Sequence, residues 1–155
     1  MNWFRVCMLA LITIFAVDLL LGSEVPQVTA RATVVPLPLR GEYRLTVQAV
    51  VPRGYHIFSI NQQPGGPLPT ILELNQSSNL VATSQWRESP RPKTERYDFW
   101  PGVDVETLSG TVTWTITLRE LERREVLAIM GTLIVFPCSD TTCLNPQEIK
   151  FQVVR

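Results

Sequence analysis

Cysteine and histidine are scarce in this chain: of its 155 residues, three are cysteine and one is histidine. Protein metal sites are usually built from clustered Cys, His or acidic ligands, so we expect no metal centre. An excess of either charge is also lacking, because 14 basic and 14 acidic residues give a formal net charge of zero. Nucleic-acid binding normally requires a basic surface, so we expect no nucleic-acid partner.

Helical patterns are scarce as well, and alternation of apolar and polar residues dominates. The runs "EYRLTVQAV" (42–50), "TVTWTITL" (111–118) and "EIKFQVV" (148–154) each alternate with a period of two, which predicts strands with one buried face. The run at 126–136 is apolar on both faces and predicts a central strand. Twelve prolines fall outside the alternating runs and mark loops. Six to eight short strands predict an all-β, immunoglobulin-like antiparallel β-sandwich.

Residues 1–27 are typical of an export signal. Arg5 precedes an apolar run that Asp18 interrupts, and small residues follow. Cleavage is expected after Ser23 or after Ala30, and retention of the segment as a membrane anchor is the alternative. We therefore expect one domain, residues 28–155, in a periplasmic or otherwise exported location.

Two of the cysteines, Cys138 and Cys143, lie in "FPCSDTTCLNPQ" (136–147) between two predicted strands. The short polar linker predicts a β-hairpin, in which opposed Cα atoms approach to roughly 4.5 Å, near the range a disulfide accepts. In an exported chain this pair can remain oxidised. As a simple staple it would contribute about 2 kcal/mol. The residues alone leave a structural bond and a working dithiol equally open.

Two motifs carry a family resemblance. "GYHIFSINQQPGGPLPT" (54–70) and "CSDTTCLNP" (138–146), in this order within an all-β pattern, resemble the N-terminal periplasmic domain of the DsbD family of thiol:disulfide interchange proteins. The likeness extends from about Val28 to Arg155. It implies an immunoglobulin-like sandwich whose cysteine pair takes electrons from a membrane reductant. The electrons pass to periplasmic thioredoxin-like proteins, such as disulfide isomerases and cytochrome c maturation factors.

The resemblance also implies residue roles. Cys143 should form the mixed disulfide with the partner and Cys138 should resolve it, by thiol–disulfide exchange that needs no cofactor. No small-molecule substrate is expected. Family members cover the pair with a cap loop that carries an aromatic residue. In "RYDFWPG" (96–102) Phe99 is the first choice for this residue, and Trp100 is the alternative.

Three residues of the first motif, Tyr55, His56 and Phe58, are candidates for lining a pocket beside the cysteines. For Tyr55 and Phe58 an ordinary place in the sandwich core is at least as good an explanation, and for His56 an ordinary half-buried strand position is the favoured one. The sequence also departs from the family, with Asn145-Pro146 replacing a Pro-Pro pair. In addition, the sequence ends after "FQVVR" without a membrane portion or a thioredoxin-like domain. We therefore expect the electron donor to be a separate membrane protein.

The leading prediction is an exported thiol–disulfide oxidoreductase of the protein-disulfide reductase type. The alternative is an immunoglobulin-like binding or scaffold module whose hairpin disulfide is structural. A third hypothesis is an assembly partner of a membrane electron-transfer complex. The oxidation behaviour of the pair discriminates among them, because a pair that never changes oxidation state favours the scaffold.

Overall fold

The computed structural model describes residues 25–75, 79–98, 100–122 and 126–155. Most of the predicted export signal, residues 1–24, lies outside these ranges. Within them, no helix is long and apolar enough to cross a bilayer. The regular structure of the described ranges is a set of eleven β-strands. They are β1 (Thr29–Pro36), β2 (Glu42–Val50), β3 (Ile57–Phe58), β4 (Ile71–Leu74), β5 (Leu80–Ala82), β6 (Arg87–Ser89), β7 (Lys93–Arg96), β8 (Asp104–Leu108), β9 (Thr111–Glu120), β10 (Ala128–Val135) and β11 (Gln147–Val154).

The strands form two main sheets and a smaller third one, all antiparallel. The first main sheet has the order β1-β2-β9-β5, with β6 also pairing with β9. The second has the order β11-β10-β4, and the small sheet has the order β3-β8-β7. The predicted all-β, immunoglobulin-like antiparallel sandwich is confirmed. Its strand count exceeds the predicted six to eight because several strands have only two to four residues.

The core lies between the two main sheets. The alternating residues of β2 and β9 point inward as predicted, and Leu45 and Trp114 are completely buried. Leu133 of β10 meets them from the opposite sheet. β10 is central in its sheet as predicted, but only one of its faces is buried, since Met130 is exposed. The core therefore has the two-layer form that single-faced strands produce.

One glycine in β10 permits close packing of the second sheet. Gly131 pairs with Phe151 of β11 and with Leu74 of β4. A Cβ atom at this position would lie 2.5 Å from the Phe151 ring and 2.5 Å from the Glu73 carbonyl oxygen. The phenylalanine ring therefore occupies the space that a side chain at 131 would need.

The end of the β10–β11 hairpin meets the small sheet. The ladder between the two strands ends at Val135 and Gln147, and an isolated bridge then joins Cys138 to Cys143. A second isolated bridge joins Cys138 to His56, which directly precedes β3. The first sequence motif and the cysteine motif are thus brought together at one end of the sandwich.

Candidate functional site

The two cysteines form a disulfide across the hairpin. Their Cα atoms are 3.9 Å apart, somewhat closer than expected for opposed residues. Ser139 closes the turn between them, because its backbone N–H donates to the Thr142 carbonyl at 2.7 Å and its hydroxyl accepts from the Thr142 N–H at 3.1 Å. The predicted hairpin and the proximity of the pair are therefore confirmed.

The two bonded cysteines differ in their exposure to solvent. Cys138 is 5% exposed and packs in a small apolar cluster with Phe58 and Val105, whereas Cys143 is exposed. Two backbone hydrogen bonds join Cys138 to His56. The Cys138 N–H donates to the His56 carbonyl at 2.9 Å, and the His56 N–H donates to the Cys138 carbonyl at 2.8 Å. Cys143 is therefore the member of the bonded pair that faces solvent.

An open pocket of about 590 Å³ lies over the disulfide. Aromatic rings form one side of it, and the hairpin turn forms the other. The Tyr97 and Trp100 rings meet edge to face with centroids 6.1 Å apart, and His56 and Phe58 do the same at 5.4 Å. Among the described residues, the lining consists of His56, Phe58, Tyr97, Trp100, Cys138, Ser139, Asp140, Thr141, Thr142 and Cys143.

The structure brings some of the candidate residues together and separates one from them. His56 and Phe58 line the pocket, and Trp100 packs against the cluster that contains Cys138. Tyr55 instead packs against the main sandwich core. Phe99, the first choice for the cap residue, lies outside the described residues. Tyr97 was not singled out from the sequence, although it stands in the same quoted loop, because nothing in a loop pattern shows which aromatic ring turns toward the cysteines.

Acidic groups surround the single histidine. Burial lowers the pKa of His56, and the carboxylates of Asp140 and Glu95 act in the opposite direction. Glu95 accepts a hydrogen bond from the Tyr97 hydroxyl at 2.9 Å and pairs with Lys93 at 2.6 Å. Burial, and next the contact with Glu95, raise the pKa of Tyr97. The imidazole is therefore neutral near pH 7. In this form it has one hydrogen-bond donor and one acceptor beside the disulfide.

This histidine predicts a pH dependence of stability. Its folded-state pKa is lowered, so on acidification the unfolded chain binds a proton more readily, and the free energy of unfolding falls as the pH decreases. Between about pH 7.5 and about pH 5.5 we expect a loss of about 1 kcal/mol or less. Urea titrations of the parent and of His56→Gln at both pH values measure this loss, and the free energy of unfolding of the variant should fall by less. An equal fall in the two proteins would contradict the prediction.

The fold and the site together define an immunoglobulin-like β-sandwich with a disulfide at the tip of a hairpin beside an aromatic pocket. Its fold is similar to that of the N-terminal periplasmic domain of ScsB from Proteus mirabilis, with a TM-score of 0.57 and 16% identity over 81% of this chain. The chain spans 45% of the length of that protein chain. The expected resemblance to a DsbD-like N-terminal domain is thereby confirmed at the level of the fold.

A second solved structure is also similar, the N-terminal domain of DsbD from Neisseria meningitidis in its reduced form. The TM-score is 0.48 and the identity is 10%, over 72% of this chain and 79% of that one. No protein-family model matches the sequence, and no curated protein matches it either.

Proposed function

We propose that the protein is an exported thiol:disulfide exchange domain that carries two electrons on the Cys138–Cys143 pair. The observation that supports this most directly is the unequal exposure of the bonded cysteines, with Cys138 buried and Cys143 open to solvent. A staple needs no such asymmetry. An exchange protein does, because one sulfur has to meet the partner while the other resolves the adduct.

The proposed reaction proceeds in two displacements. In the reduced domain the Cys143 thiolate attacks one sulfur of the partner's disulfide, forming a mixed disulfide and releasing the partner's other sulfur as a thiolate. The Cys138 thiolate then attacks the sulfur of Cys143, and the partner's remaining sulfur leaves. The domain is oxidised by two electrons, the partner is reduced by two, and the released thiolates take protons from water. Reduction of the domain by a donor dithiol is the reverse sequence.

The partners proposed for this reaction are thioredoxin-like periplasmic proteins as acceptors and a separate membrane protein as donor. The pocket supports a docked protein on this face, since aromatic side chains border the disulfide and such rings are common in protein interfaces. Trp100 is the proposed cap residue within the described part of the chain, because it packs on the cluster that holds Cys138. Phe99 remains a second proposed cap residue, on the basis of the family resemblance of the loop at 96–102.

A redox titration tests the proposed function. The purified protein is equilibrated in graded thiol/disulfide buffers, and free Cys138 and Cys143 are trapped by alkylation and counted by mass. We expect a midpoint of roughly −180 to −270 mV, the range of exchange proteins. A midpoint below about −300 mV would identify a bond that resists biological reductants, and the structural reading would replace the proposal.

The start of the mature domain is proposed from the packing of the N-terminal segment. Val28 is 4% exposed in the main core, and its N–H donates to the Gln147 side chain at 2.8 Å. Gln147 in turn donates to the Pro26 carbonyl at 2.9 Å. Cleavage after Ala30 would remove this clamp and the first residues of β1, whereas cleavage after Ser23 keeps both.

We therefore expect Glu24 as the first residue of the exported protein, measured by intact mass and N-terminal sequencing. Ser23→Tyr should block processing, because signal cleavage requires a small residue before the cut. A chain that starts at Arg31 would contradict this site. A chain that keeps Met1 and sediments with membranes would instead identify the segment as an anchor.

A further inference from the structure

A second depression lies beside Cys143. Its volume is about 550 Å³, and we call it the N-terminal groove. Cys143 lines both this groove and the aromatic pocket. The lining of the N-terminal groove consists of Val25, Gln27, Val28, Cys143, Leu144, Asn145, Pro146, Gln147, Glu148 and Ile149.

The walls of the N-terminal groove are fixed by specific contacts. The Gln147 side chain holds the backbone at Val28 and at Pro26, so the N-terminal segment lies beside the start of β11. On the other wall, the Leu144 N–H donates to the Pro137 carbonyl at 2.8 Å, which holds the chain that follows Cys143. The groove is therefore a built feature of the fold adjoining the exposed cysteine.

The chemistry of the groove suits a stretch of polypeptide. Val25 is 58% exposed and offers an apolar contact. Gln27 and Asn145 are exposed in this lining, and the side-chain amide of each offers a donor and an acceptor, as a peptide backbone does. Among the described residues of the lining, Glu148 alone is charged, so a charged small molecule is a poorer match.

We propose that the N-terminal groove binds the segment of the partner's chain that flanks its reactive cysteine. The inference rests on the proposed exchange function. When a partner sulfur is bonded to Cys143, the residues next to that partner cysteine have to lie within a few ångströms of the surface around Cys143. The groove adjoins this cysteine and contains backbone-matching amides, whereas the rings of Trp100 and Tyr97 pack against the cluster that contains the buried Cys138.

The test compares two disulfide probes on the single-thiol variant Cys138→Ser, made from the whole chain, with its N-terminus verified by mass. One probe is a short neutral peptide, blocked at both ends, whose central cysteine carries thionitrobenzoate. The other is blocked cysteine carrying the same group. In each reaction the Cys143 thiolate attacks the cysteine sulfur of the probe, a new disulfide forms, and coloured thionitrobenzoate leaves. Thionitrobenzoate is the better leaving group, so the release of colour measures this step.

We expect the peptide probe to react about tenfold faster than the cysteine probe. Val25→Asn removes the apolar contact, and Gln27→Trp fills the groove. Both should reduce the ratio of the two rates, peptide probe over cysteine probe, toward one, while the cysteine probe keeps its rate. Val154→Asn is the matched control, because Val154 is 59% exposed and lies at the other end of β11. Its ratio should equal that of the parent.

Three results would overturn the inference. The first is a ratio of one in the parent, and the second is an unchanged ratio in Val25→Asn and Gln27→Trp. The third is a ratio that falls only in Trp100→Ala, which would assign the peptide to the aromatic pocket. Failure of Cys143 to react with either probe would instead refute the proposed exchange function, so the two failures are distinguishable.

Discussion

Cys143→Ser is expected to abolish reduction of a protein disulfide, whereas Cys138→Ser is expected to accumulate a covalent adduct with it. The reason is the position of the two sulfurs: Cys143 is exposed, and Cys138 lies in an apolar cluster at 5% exposure. Loss of the attacking sulfur removes the first displacement and should lower the rate by roughly 1,000-fold or more. Loss of the resolving sulfur stops the reaction after the first displacement.

The experiment mixes each reduced variant with an oxidised, thioredoxin-type disulfide isomerase. Non-reducing gels detect a one-to-one adduct that dithiothreitol dissolves, and alkylation measures the thiols formed on the isomerase. Thr141→Ala is the control, since Thr141 is exposed in the same turn and keeps both sulfurs. An adduct from Cys143→Ser would reverse the assigned roles. No adduct from either variant, together with an inert parent, would favour the scaffold function.

Gly131→Ala is expected to give the largest loss of stability from a single methyl group. The added Cβ would lie 2.5 Å from both the Phe151 ring and the Glu73 carbonyl oxygen. The carbonyl belongs to the β4 backbone, so relief requires the Phe151 ring and the neighbouring strand to shift together. Overpacking of this kind costs about 1–3 kcal/mol, and the constraint from both neighbours supports the upper part of that range.

Urea denaturation of the oxidised proteins measures this loss. Met130→Ala is a suitable control because Met130 is the preceding residue of β10 and is 46% exposed, so its truncation should change the free energy of unfolding by about 0.5 kcal/mol or less. A second variant, Gly131→Ala with Phe151→Leu, should recover part of the loss by vacating the space over residue 131. A Gly131→Ala protein as stable as the parent would contradict the packing described above.

The sandwich itself was predictable because its long strands bury one face. In β2 and β9 every second residue is apolar over eight or more positions, so the period is visible without the structure. The small sheet was not predictable in the same way. β3 has only two residues, Ile57 and Phe58, which is too short for any period to be visible. As a result, the sequence did not separate Tyr55, which joins the main core, from His56 and Phe58, which line the pocket.

The candidate site was predictable only in part, for a related reason. The spacing of Cys138 and Cys143 within a turn-forming segment was enough to predict the hairpin. Their unequal burial arises from a distant part of the chain, since His56 bridges to Cys138 and Phe58 packs on it. Such long-range contacts leave no pattern in the residues next to the cysteines. The N-terminal groove was missed because it depends on Gln147, whose position beside Pro26 and Val28 is likewise tertiary.

The backbone bonds between His56 and Cys138 have a consequence for the energetics of electron transfer. These bonds, and the one from Ser139 to Thr142, join backbone atoms and not the sulfurs, so we expect them to persist when the disulfide is reduced. The oxidised and reduced forms are therefore expected to share one conformation, with little reorganisation on either side of the reaction. In a carrier of this kind, no conformational change favours one direction of transfer over the other. The direction of electron flow through it is then set by the potentials and concentrations of the proteins that meet it.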